Sequence, residues 1–112
     1  MRFIARAIPT TLLEAARGFS AVVITGPRRS GKTTLLRRLF PHASYVLLED
    51  PDIQARARSD PRALLEELHP PVIFDEIQNV PDLLAYIRAR IDQHPRKVGQ
   101  WLFTGSQETP LM

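Results

Sequence analysis

Gly26-Pro27-Arg28-Arg29-Ser30-Gly31-Lys32-Thr33-Thr34 stands directly behind the apolar run Ala21-Val22-Val23-Ile24, and the reading of these two stretches decides the fold. The first satisfies the spacing G-x-x-x-x-G-K-[ST] at every fixed position. Glycine at 26 and 31 lets successive backbone N–H groups turn toward one point, and a helix starting behind Gly31 adds the positive end of its dipole there. Such a cradle is shaped for a phosphate chain. Pro27, Arg28, Arg29, Ser30 and Thr34 complete the predicted phosphate-contacting loop. Lys32 is expected to reach the β and γ oxygens of a nucleotide, and the Thr33 hydroxyl to ligate Mg2+. A Gly-rich turn without chemistry needs neither the strand before it nor the helix after it. Arg28 and Arg29 read as solvated or partner-facing rather than catalytic.

Outward from the loop, the chain alternates. Phe19 to Thr25 is a β-branched apolar run without alternation, the pattern of a parallel strand buried on both faces. Gly31 to Phe40 reads as a helix with Leu35, Leu36 and Leu39 on one side, ended by Pro41. Tyr45-Val46-Leu47-Leu48 is a second strand running into Glu49-Asp50-Pro51-Asp52, which reads as a solvated turn. Asp60 caps a helix with Pro61 at its first position. Val72-Ile73-Phe74 is a third strand, Leu83, Leu84, Ile87 and Ile91 make one helical stripe behind Pro81, and Val98 to Thr104 is a fourth strand. Before all of these, Ile8 to Gly18 reads as a short helix with Thr11 and Glu14 at capping-box spacing. Tyr86, Trp101 and Phe103 are spaced like core residues. The βαβ alternation predicts an α/β fold with a parallel sheet and helices on both faces.

The third strand ends on Asp75-Glu76, an acidic pair at the end of a strand where parallel sheets hold their ligands. Asp75 is the second candidate for the Mg2+ shell, and Glu76 the candidate to orient and polarise an attacking water. The fourth strand ends on Thr104-Gly105-Ser106, where a hydroxyl could touch the γ-phosphate or that water; Ser106 is the candidate ahead of Thr104. The histidines at 42, 69 and 94 stand near prolines at element ends with no metal-ligand spacing, so a zinc site is not expected.

Composition sets the outer bounds. At 112 residues the chain suits one modest domain. The absence of cysteine excludes disulfides and thiolate metal sites. No apolar run approaches the ~20 residues that cross a bilayer, and MRFIARAIP lacks the apolar core of a secretory signal, so a cytoplasmic, membrane-free protein is expected. A net charge of +3 permits a polyanionic partner without requiring one.

GPRRSGKTTLLRRL, YVLLEDPD, PVIFDEIQNVPDLL and WLFTGSQ, in that order, resemble AAA-type ATPases, and among them the prokaryotic group called AAA domain family 14. The resemblance covers residues 8 to 107. It implies a P-loop NTPase three-layer αβα sandwich with strand order 5-1-4-3-2, ATP and ADP as ligands and Mg2+ as cofactor. By carry-over, Lys32 and Thr33 match the first nucleotide motif, Asp75 and Glu76 the second, and Ser106 the first sensor. Such proteins continue to a fifth strand, an arginine finger and a helical or DNA-binding-like part. The 1–112 chain is therefore expected to be a single truncated domain of order 1-4-3-2 that lacks a fifth strand and leaves the first at an open edge. A homo-oligomer, and a protein or DNA partner met through a further C-terminal part, follow from the same resemblance.

Three functions stay open on this reading. One is Mg2+-dependent ATP hydrolysis. Another is a small nucleotide or metabolite kinase, for which no basic lid is evident. The third is a nucleotide-gated binding module with little turnover. A GTPase is disfavoured because neither a D-x-x-G nor an N-K-x-D motif follows.

Overall fold

The computed structural model describes residues 2–5, 9–27 and 31–106, with side chains from Leu12 onward; Arg28, Arg29, Ser30 and the 107–112 segment lie outside the described residues. Five strands form one parallel sheet: β1 (Arg2–Ala5), β2 (Ala21–Gly26), β3 (Ser44–Leu47), β4 (Val72–Asp75) and β5 (Trp101–Ser106). Their order across the sheet is β1-β2-β5-β4-β3. The four strands foreseen from the apolar runs thus take the expected order. The open edge does not materialise, because Arg2 to Ala5 pairs in register with Ala21 to Ile24. An apolar edge strand is a template for another strand, and here the chain's own N-terminal segment fills it.

Strand parity sorts the core into two layers. Val22, Ile24, Leu102 and Ile73 face one way and pack with Leu12, Ala15, Ala16 and Leu36. These come from α1 (Pro9–Gly18) and α2 (Lys32–Leu39). Ala21, Val46, Val72, Phe74, Trp101 and Phe103 face the other way, under α3 (Pro51–Ser59), α4 (Pro61–Glu66) and α5 (Leu83–Gln93). On that side Phe74 stacks on Trp101 and Phe103 at 6.2 and 5.5 Å between ring centroids. The expected stripes hold: Leu36 is buried with Leu35 and Leu39 packed against its cluster, and Leu83 and Ile87 are buried with Leu84 and Ile91 beside them.

Three local readings are corrected. The acidic turn 49–52 is instead the start of a helix: Asp50 Oδ1 accepts from Asp52 N at 2.8 Å and Pro51 takes the first helical position of α3. The first helix already runs at Pro9, whose fixed φ suits a helix start, so Thr11 lies inside the helix rather than capping it. Tyr86 is not a core residue; it is 38% exposed, with the Arg62 guanidinium 5.9 Å from its ring centroid.

Candidate functional site

The β2–α2 connection enters the helix through Gly31, which has φ 86 and lies in the left-handed region that a side chain disfavours. Gly31 has no side chain with which to cap α2, and a helix start of this kind commonly meets an anion. Lys32, the first residue of the helix, is only 4% exposed. Its Nζ curls back to donate to the carbonyls of Gly26 at 3.1 Å and Pro27 at 2.6 Å. Thr34 is exposed on the next turn face, and Thr33 points inward to the sheet.

Asp75 closes β4 and accepts from three hydroxyl groups. Thr33 Oγ1 donates to Oδ1 at 2.9 Å, across 42 residues of sequence, and Thr104 Oγ1 donates to the same oxygen at 2.8 Å. Tyr45 Oη, from the neighbouring β3, donates to Oδ2 at 2.5 Å. Burial, reinforced by the hydrogen bond to Asp75 and that carboxylate's charge, pushes the Tyr45 hydroxyl well above its ordinary range, so it is a firm neutral donor. Thr104 is wholly buried and uses its remaining capacity to accept from Glu76 N at 2.9 Å. Its one hydroxyl therefore links both acids of the pair.

Glu76 adopts φ 63, a left-handed conformation uncommon for a residue with a side chain, and so stands at the head of the 3-10 turn Ile77–Asn79. Strain of this kind is of order 1–3 kcal/mol and gathers at functional positions. The turn holds it in return: Asn79 Nδ2 donates to Glu76 O at 3.1 Å, and Gln78 Nε2 donates to Oε1 at 2.7 Å. Ser106 Oγ lies 2.7 and 2.9 Å from the two carboxylate oxygens. Gln78 also accepts from Ser106 N at 3.4 Å, a long contact that links β5 to the turn.

Lys32, Thr33, Asp75, Glu76 and Ser106 are thus gathered at the C-terminal ends of β2, β4 and β5, where Gly26 pairs with Ser106. Arg28, Arg29 and Ser30 lie outside the described residues. Tyr45 and Gln78 were not singled out by the sequence, and Thr104 was ranked behind Ser106. Parity could have found Tyr45, since it pairs with Ile73, two positions before Asp75, and so shares a face with that carboxylate. That inference needs to know that β3 and β4 are neighbours. One carboxylate and one hydroxyl in contact, both hard oxygen donors, suit Mg2+ bound jointly with substrate phosphates and water. Among the described residues no group of three or more His, Asp or Glu could hold a metal ion by itself, and no helix is long and apolar enough to cross a membrane. A cleft of about 620 Å3 between α5 and the β2–β5 part of the sheet contains none of these residues.

Comparison with known proteins agrees with this arrangement. The chain is 33% identical over 92 residues to an uncharacterized protein of Mycobacterium bovis (Mb2031c), and equally to one of Mycobacterium tuberculosis (Rv2008c). The aligned part is 81% of this chain and 21% of each relative, so the chain spans about a fifth of their length. No solved structure matches it. The model of the AAA domain family AAA_14 matches residues 18–112, a span that takes in every strand from β2 to β5 and all the residues gathered at their ends, and the chain belongs to this family of P-loop ATPase-like domains.

Proposed function

We propose that the chain binds ATP as its Mg2+ complex and hydrolyses it, with water as the phosphoryl acceptor. The observation that carries this reading is the Thr33–Asp75 hydrogen bond, which joins the start of the phosphate-loop helix to the acidic end of β4 in one oxygen cluster. Lys32 exchanges the carbonyls of Gly26 and Pro27 for the β and γ phosphate oxygens, and the N-terminal turn of α2 contributes its dipole to the same phosphates. The Thr33 hydroxyl and the Asp75 carboxylate would hold Mg2+, which would supply neutralisation of the phosphate charge. Glu76 acts as general base: its carboxylate accepts the proton of a water aimed at the γ-phosphorus. Ser106 and Gln78 hold that carboxylate in one orientation through the hydrogen bonds they already make. Gly26, Arg28, Arg29, Ser30 and Gly31 are proposed to offer backbone N–H groups to the phosphates, while Pro27, which has none, serves the turn. A homo-oligomer, and a protein or DNA partner, remain proposals carried by the family resemblance.

Glu76→Gln tests the chemistry. It should leave ATP affinity within a small factor of wild type and lower single-turnover phosphate release by about 10²–10⁴-fold, because an amide cannot take the proton. Equal phosphate release in a folded Glu76→Gln chain would overturn the assignment of the base. Label appearing on an added hydroxyl acceptor rather than in free phosphate would make the protein a kinase.

A further inference from the structure

Asp75 is held from both sides, and the two sides differ. Oδ1 accepts from Thr33 and Thr104, on the phosphate-loop helix and on β5. Oδ2 accepts from Tyr45 on β3, the strand on the opposite flank of β4. A carboxylate bonded at one oxygen alone can still swing about its terminal torsion, which is broad. A donor on the second oxygen removes that freedom. Tyr45 is itself fixed, since the Arg37 guanidinium of α2 lies 4.5 Å from its ring centroid. The phosphate-loop helix therefore grips Asp75 twice, directly through Thr33 and indirectly through Arg37 and Tyr45.

From this geometry we infer that Tyr45 is a positioning residue for the metal side of the site: its hydroxyl fixes the Asp75 carboxylate plane so that Oδ1 and the Thr33 hydroxyl meet a divalent cation together. The inference rests on the proposed Mg·ATP site. A tyrosine that merely fills the space under Arg37 would serve equally well as phenylalanine. One that orients Asp75 would not, because hydrogen bonds to a charged acceptor are the strong ones. Among the described residues the hydroxyl's hydrogen-bond partner is Asp75 and not the phosphate loop, so its loss should spare metal-free nucleotide binding.

The experiment titrates a fluorescent ATP analogue into the 112-residue chain, first in EDTA and then against rising Mg2+, with wild type, Tyr45→Phe, Asp75→Asn and the double variant. Tyr45→Phe should keep the EDTA affinity and raise the Mg2+ concentration for half-maximal tightening on the order of tenfold. In the Asp75→Asn background the same change should add nothing, since its effect passes through that carboxylate. An unchanged Mg2+ requirement in Tyr45→Phe, while wild type responds to Mg2+, overturns this inference and leaves the proposed function standing. A parallel loss in EDTA and in Mg2+ assigns Tyr45 to packing and also overturns it. A wild type that binds the analogue with no response to Mg2+ overturns the metal site itself, and the inference with it.

Discussion

Gly31 and Gly99 both have positive φ, for different reasons. At Gly31, φ is 86 and nothing among the described residues lies within 4 Å of where a Cβ would be, so an alanine there meets chiefly the conformational penalty. At Gly99, φ is 63 and a Cβ would come 2.8 Å from the Ala16 carbonyl oxygen, a backbone atom that cannot step aside. Gly31→Ala should cost about 1–2 kcal/mol, the price of a left-handed residue. Gly99→Ala should cost clearly more, as measured by urea unfolding. Equal costs would mean that the approach to α1 relaxes freely. The first glycine was legible from the phosphate-loop spacing. The second was not, because its constraint comes from a helix more than eighty positions earlier in the chain. Glu76 was legible as an acid beside Asp75, but its left-handed backbone was not, since that follows from the turn Gln78 and Asn79 build around it.

Two elements begin alike and were not read alike. Asp60-Pro61 and Asp50-Pro51 each place an aspartate cap ahead of a proline, and each cap accepts a backbone hydrogen bond, from Ala63 N at 3.1 Å and from Asp52 N at 2.8 Å. The apolar pair Leu64-Leu65 advertises α4, whereas α3 buries only Ala57 and shows no stripe. Capping chemistry alone was the signal there, and it was masked by the acidic run around it. Asp50→Ala should destabilise the chain by about 0.5–2 kcal/mol, whereas Asp50→Asn, whose amide oxygen can accept the same hydrogen bond, should keep most of the stability, as read from thermal or denaturant unfolding. A neutral Asp50→Ala would mean that α3 is held by packing and not by its cap. β4 and β5, in contrast, were legible as strands, because burial on both faces leaves continuous apolar runs that no other element of this length explains.

Across the whole molecule, the sheet order was carried by resemblance and not by any local pattern, and the strand that completes the sheet was not foreseen. Arg2–Ala5 is too short and too near the first helix to stand out as a strand, and only the exposed edge of β2 gives it a place. Removing residues 1–7 should uncover that edge, lower the unfolding midpoint and produce mass that grows with concentration in light scattering. An equally stable, monomeric shortened chain would show that β1 contributes nothing to the sheet. Lys32, Thr33 and Asp75, which come from separate elements, are proposed to form one Mg·ATP site at the C-terminal ends of the inner strands. Calorimetric titration of ATP, with and without Mg2+, into wild type and a folded Lys32→Ala chain tests it most directly. Saturable binding that tightens with Mg2+ is expected in wild type, lost or sharply weakened in Lys32→Ala. Identical binding by the two proteins, or none by wild type, would contradict it.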